Sequence, residues 1–186
     1  MTGEVFSPEP ELIQGGMGVG ISSWELARAV AQAGERLDRQ VLGVVSGVGL
    51  AITMVLRLRR GDANMRRAVE AFCVPDIALG ILGKYWLRSG RSSKDRLPPK
   101  PELLVNGSEE RKAELARLVV VANFAEVWLA KEGHSRPIGV NYLEKIQLPR
   151  LPEMFGAMLA GVDYVLMGAG IPNQVPGALD ELSAWK

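Results

Sequence analysis

The residues between Gln14 and Gly20, "QGGMGVG", are the first in the chain whose type and spacing point to chemistry. Gly16, Gly18 and Gly20 alternate just after a short apolar run, where bare backbone can serve a phosphate or the flat face of a cofactor ring. The dinucleotide fingerprint requires Gly-x-Gly-x-x-Gly and an acidic residue about 20 positions later to hold a ribose. Here the spacing is Gly16-x-Gly18-x-Gly20, the next apolar run ends in Ser46 and Gly47, and no Gly-Lys-Ser/Thr follows the glycines. A nicotinamide site is therefore disfavoured, and a P-loop more so.

Other reactive side chains are few. Cys73 is the single cysteine and cannot form an internal disulfide. Such cysteine poverty suits a reducing cytoplasm, and Cys73 is expected to be a small buried hydrophobe rather than a nucleophile. The single histidine, His134, lies in "KEGHSRP", a loop that enters a strand. In parallel α/β folds ligands gather where strands end, so neither His134 nor Asp163, at the entry to the next strand, is expected to be a catalytic base. Glu144 and Lys145 are expected to form a solvated pair. No metal site is expected.

These residues must be positioned by elements, and hydrophobic periodicity locates them. Leu12 and Ile13 open a short strand, expected to be buried, that runs into the glycines. Ser22 and Glu25 have the spacing of a capping box for a helix over 23–34, with Trp24, Leu26, Ala27, Val30 and Ala31 on its apolar side. "VLGVVSG", 41–47, is continuously apolar, as a strand covered on both faces should be, and leads into a helix over 48–60. Residues 61–136 carry no strand signal. They read as helices over 65–72, 75–87 and 109–132, with the polar loop "RSGRSSKDRLPPKPE" between the last two. "PIGVNYLE" is a third strand with a helix over 152–161, "VDYVLMGAG" a fourth, and a helix over 175–185 follows. Repeated β-α order implies a parallel sheet, either doubly wound or part of a barrel.

Composition narrows the function classes. The 186 residues are 47% hydrophobic and 23% charged, the balance of a globular domain with a real core. With 22 basic against 21 acidic residues, no overall field favours nucleic acid or an anionic membrane surface. No apolar run approaches the ~20 residues of a membrane helix, and the N-terminus lacks the basic start of a signal peptide. A cytoplasmic protein acting on a small molecule is the expectation.

The stretches "LIQGGMGVGIS", "LGVVSG", "VVANFAEVWLAKEGH" and "PIGVNYLEKIQLPRLPEMFGAMLAGVDYVLMGAGIP" resemble the nitronate monooxygenases, once called 2-nitropropane dioxygenases and related to flavin-containing enoyl reductases. The resemblance covers nearly the whole chain and is densest over 137–176. It implies a TIM-type (β/α)8 barrel that binds FMN and oxidises nitronates with oxygen. By position it assigns Gln14, Gly15, Gly16 and Met17 to the first-strand flavin contact, Asn141 to a side-chain hydrogen bond with the flavin, and Met167 and Gly168 to the strand end beside the ring. The rival reading of Asn141 is a turn cap, and that of Met17 and Met167 is core packing.

Such barrels take ~250 residues, whereas only four strand-helix units are legible here. The expected architecture is thus the first half of a barrel, 1–186, with a helical insertion about 61–136. The resemblance puts the catalytic base beyond Lys186, and the phosphate loops of such barrels follow strands seven and eight. The chain is expected to be the amino-terminal part of a longer protein or a half-barrel needing a partner, and its open sheet edges suggest a homo-oligomer. Two other readings stay open: a non-catalytic remnant of the barrel, and a flavin-dependent enoyl reductase component.

Overall fold

A computed structural model describes residues 9–87, 108–145 and 150–184. The polar loop of 88–102 lies outside these. Among the described residues the order is β1 (Leu12–Ile13), α1 (Trp24–Arg36), β2 (Val41–Ser46), α2 (Leu50–Arg59), α3 (Ala63–Glu70), α4 (Pro75–Tyr85), α5 (Glu109–Ala130), β3 (Ile138–Leu143), α6 (Arg150–Leu159), β4 (Tyr164–Gly168) and α7 (Val175–Ser183).

The four strands form one parallel sheet in the order β1-β2-β3-β4. Crossovers between parallel strands are right-handed, so a sheet that adds strands in sequence order carries its crossover helices on one face. The packing agrees: α1 lies on β2, α5 fits between α1 and α6, and α7 follows α6. A doubly wound sheet would reverse direction and cover both faces; these four strands do not. The molecule is a mixed α/β structure whose sheet is compatible with part of a (β/α) barrel.

Alternation along the strands sorts side chains to the two faces. Val45, Ile138, Val140 and Tyr142 point to the helices and join the main core, with Val165 and Met167 packed against it. A Cβ on Gly43 would lie 2.1 Å from the Ala27 carbonyl oxygen, so α1 sits directly on β2 there. The opposite face presents Leu42, Val44, Asn141, Leu166 and Gly168; a Cβ on Gly139 would touch Leu166, Val44 and Leu42.

Between β2 and β3 it is α5, not α2, that lies against the sheet, while α2, α3 and α4 pack on one another and on α5. The reason is in the residues of α5. Its first turns, beginning "EERKAE", are charged, but nearly everything from Leu118 to Ala130 is buried, which suits a helix enclosed on all sides.

Four expectations are corrected. Leu12 and Ile13 are 60% and 53% exposed, because β1 is two residues long, pairs only with β2, and has no described element over it. Leu26 is exposed, since the buried stripe of α1 is Trp24, Ala27, Ala31 and Gly34. Cys73 is exposed, lying in the turn between α3 and α4. Ser22 and Glu25 form no capping box: the N-cap is Ser23, which makes no side-chain cap bond. Instead the Trp24 amide donates to Glu126 Oε1 at 2.8 Å, so a carboxyl group from α5 caps the start of α1.

Candidate functional site

The carboxyl ends of the strands bring Gln14, Gly15, Gly16, Met17, Ser22, Ser46, Asn141 and Gly168 together. Gln14 continues the β1–β2 ladder with both backbone and side chain. Its amide donates to the Leu42 carbonyl at 3.0 Å, and its Oε1 accepts the Val44 amide at 3.0 Å. Its Nε2 donates to the Gly15 carbonyl and to Ser22 Oγ. The polar side chain of Gln14 is thus spent on holding the first loop to the sheet.

Ser22, read from sequence as a cap, is the second anchor of this loop. Its hydroxyl lies 3.2 Å from the carbonyls of Gly15 and Val44, and its carbonyl accepts the Ser46 amide at 2.8 Å. No sequence signal marks this role, because the partners lie seven to 24 positions away.

Gly16 is enclosed by the sheet. A Cβ there would meet Val44 Cγ1 at 2.4 Å, the Val45 carbonyl oxygen at 2.8 Å and Asn141 Cβ at 2.9 Å. Gly18, with φ +87°, then turns the chain outward. Part of the glycine requirement is therefore met by the fold itself.

Asn141 closes the arrangement from β3. The side chain is 9% exposed; Nδ2 donates to the Gly16 carbonyl at 3.1 Å and approaches Met17 Sδ at 3.2 Å. Its backbone carbonyl accepts the Gly47 amide at 2.9 Å. Among the described residues no donor reaches Oδ1, which lies 3.8 Å from where a Gly168 Cβ would stand. A carbonyl oxygen open at the strand ends can accept a hydrogen bond from a ligand N–H or O–H.

Of the two methionines, Met17 lies in the loop and is 62% exposed, whereas Met167 is paired in register with Tyr142 and packs into the helix-side core. The structure thus brings Gln14 to Met17, Asn141 and Gly168 together and leaves the Met167 side chain on the other face. Behind the site, a Cβ on Gly47 would strike the Tyr142 ring at 2.2 Å. The Tyr142 hydroxyl lies within hydrogen-bond reach of Asn123 Oδ1 and the Glu153 carbonyl, and burial raises its pKa. Burial also pushes the Glu153 carboxyl up to about 7, against the pull of Arg150.

Glu144 is engaged by Arg150, whose Nη2 donates to the Glu144 carbonyl and lies 3.4 Å from its Oε1. Lys145 is exposed. His134 and Asp163 lie at the amino ends of the strands. His134 Nε2 bonds the Ala130 carbonyl at 2.8 Å, at the end of α5. Asp163 accepts from the Ile138 amide and from Lys131 Nζ. Among the described residues no cluster of three His, Cys, Asp or Glu could hold a metal ion, and no helix is long and apolar enough to cross a membrane. Comparison of the chain with protein-family models, curated proteins and solved structures finds no match.

Proposed function

We propose that the chain forms four strands of a (β/α)8 flavoprotein barrel related to the nitronate monooxygenases, with FMN at the carboxyl ends of the strands and a nitronate as substrate. The observation that carries this reading is the open Oδ1 of Asn141, set between the Gly15–Met17 backbone and Gly168. A flavin ring fits such a place, since it offers a ring N–H to an acceptor and a flat face to backbone that lacks side chains. When bound, FMN supplies the two-electron chemistry and the reactivity toward oxygen. The chain's own part would be to bind and orient: Asn141 would accept the ring N–H, the backbone of Gly15 and Gly16 with Met17 would line the ring's place, and Gln14 and Ser22 hold that backbone to the sheet.

The phosphate is a different matter. Residues 12–24, 41–56 and 164–179, which contain three of the four strand-end loops, hold no Lys, Arg or His, so these loops support ring contacts without a cation for the phosphate. FMN should therefore bind weakly to these 186 residues. Titration followed by flavin fluorescence should saturate only at high micromolar FMN or above. Asn141→Ala should weaken binding a further several-fold, as expected for losing a hydrogen bond of about 1 kcal/mol. Tight binding, or binding indifferent to Asn141→Ala, would contradict this reading.

A second reading has an observation of its own. The side chain of Gln14 and the space above Gly16 are already occupied by the protein, as a non-catalytic relative of the barrel would also have them. Colourless protein that ignores added FMN supports this alternative.

A further inference from the structure

The strand-end loops carry apolar side chains where solvated loops carry charge. Residues 12–24, 41–56 and 164–179 contain no Asp, Glu, Lys, Arg or His, in a chain that is 23% charged. Within them Met17, Val19, Ile21 and Ile171 are 62%, 56%, 74% and 79% exposed. Four large aliphatic side chains standing in water around one end of a sheet mark a binding surface rather than an ordinary loop surface. The first three are also held in place. Met17 Sδ meets Asn141 Nδ2, Val19 lies over Gly49 from the next loop, and Ile21 packs against the Gly18 turn, which Ser22 anchors.

We infer that this rim receives the aliphatic chain of the substrate, and that the physiological ligand is an amphiphile of about six carbons or more rather than a two- or three-carbon nitronate. The inference rests on the site proposed above, whose open end this rim borders. Protein interfaces typically surround their apolar centre with a polar, charge-bearing rim, whereas the loops after β1, β2 and β4 carry no charged residue and only Asn173 and Gln174 as exposed amides near Ile171. An alkyl chain needs no such rim, and each methylene it buries should tighten binding about fourfold.

The test uses the full chain without flavin and the series ethanol, butan-1-ol, hexan-1-ol and octan-1-ol, followed by amide chemical shifts. Affinity should rise about fourfold per methylene to at least hexanol, with shifts concentrated at 15–21 and at Ile171. The double variant Ile21→Ser, Ile171→Ser changes only exposed positions; it should keep the wild-type circular dichroism and lose tenfold or more in octanol affinity. Affinity independent of chain length, shifts elsewhere, or an unaffected double variant would overturn the inference. So would a dimer that the double variant dissolves, which would assign the rim to a second copy. Octanol binding without FMN binding would keep this inference and remove the flavin; FMN binding without chain-length dependence would do the reverse.

Discussion

Gly16 shows how one residue can be required by the fold at a place that sequence reading assigns to a ligand. Its missing Cβ would collide with backbone and with two β-carbon-proximal side-chain atoms of the sheet, none of which can swing away like the end of a long chain. Gly15 is next to it, yet a Cβ there comes no closer than 4.0 Å, to Met17 Cγ. Gly16→Ala should therefore lower stability by about 1–3 kcal/mol, while Gly15→Ala changes it little. Urea denaturation of the two variants measures the contrast, and equal midpoints would show that the first loop does not seat on the sheet. Sequence reading found this position from its glycine content. It did not find Ser22 as an anchor, because a hydroxyl bound to distant carbonyls leaves no local pattern.

At the scale of elements, the helices were legible to within two or three residues, α1 from a strong apolar stripe and α5 although its apolar residues lie all round it, and less so in their caps. The start of α1 has a local capping signature, yet its first amide is taken by Glu126, about a hundred positions away. The same distance hides the electrostatics. Glu126 is 2% exposed and shares its surroundings with Arg57 of α2, Glu25 of α1 and Asp62 before α3; burial pushes its pKa up to about 7 despite the Trp24 amide and Arg57. Because the folded value lies above the ordinary 4.5, the folded state holds a proton that the unfolded chain has released between those values. Stability from this group is then full below about pH 4.5 and is lost as pH rises through 7, on the order of 3 kcal/mol in all. Glu126→Gln keeps an acceptor for the Trp24 amide and cannot ionise. It should match wild type at pH 5 and exceed it at pH 8, with Glu153 leaving a smaller slope of the same sign. Thermal melts across this range check it, and a variant less stable at pH 8 would mean that the ionised carboxylate is favoured at the helix end.

For the whole molecule, the parallel sheet follows from β-α repetition, and its strand order, with the helices on one face, is that of the barrel alternative rather than the doubly wound one; the exposure of β1 was not legible, since apolar residues alone do not say what covers them. The sheet ends in two strands, β1 and β4, each with one neighbour. Unpaired edges invite association. The chain should sediment as a dimer or larger species at micromolar concentration, unaffected by substitutions at Ile21 and Ile171 if the edges are what meet; a stable monomer would refute this. Helix α5 has one more implication. It touches α1, α2, α3, α4 and α6 and both central strands, and β2 pairs with a strand that follows it in the chain. During synthesis α1 to α4 leave the ribosome without the helix on which they pack, for roughly 2–20 s at usual elongation rates. The apolar faces of α1 to α4 must spend that interval uncovered, so the nascent chain, more than the finished protein, is the state for which a chaperone would matter.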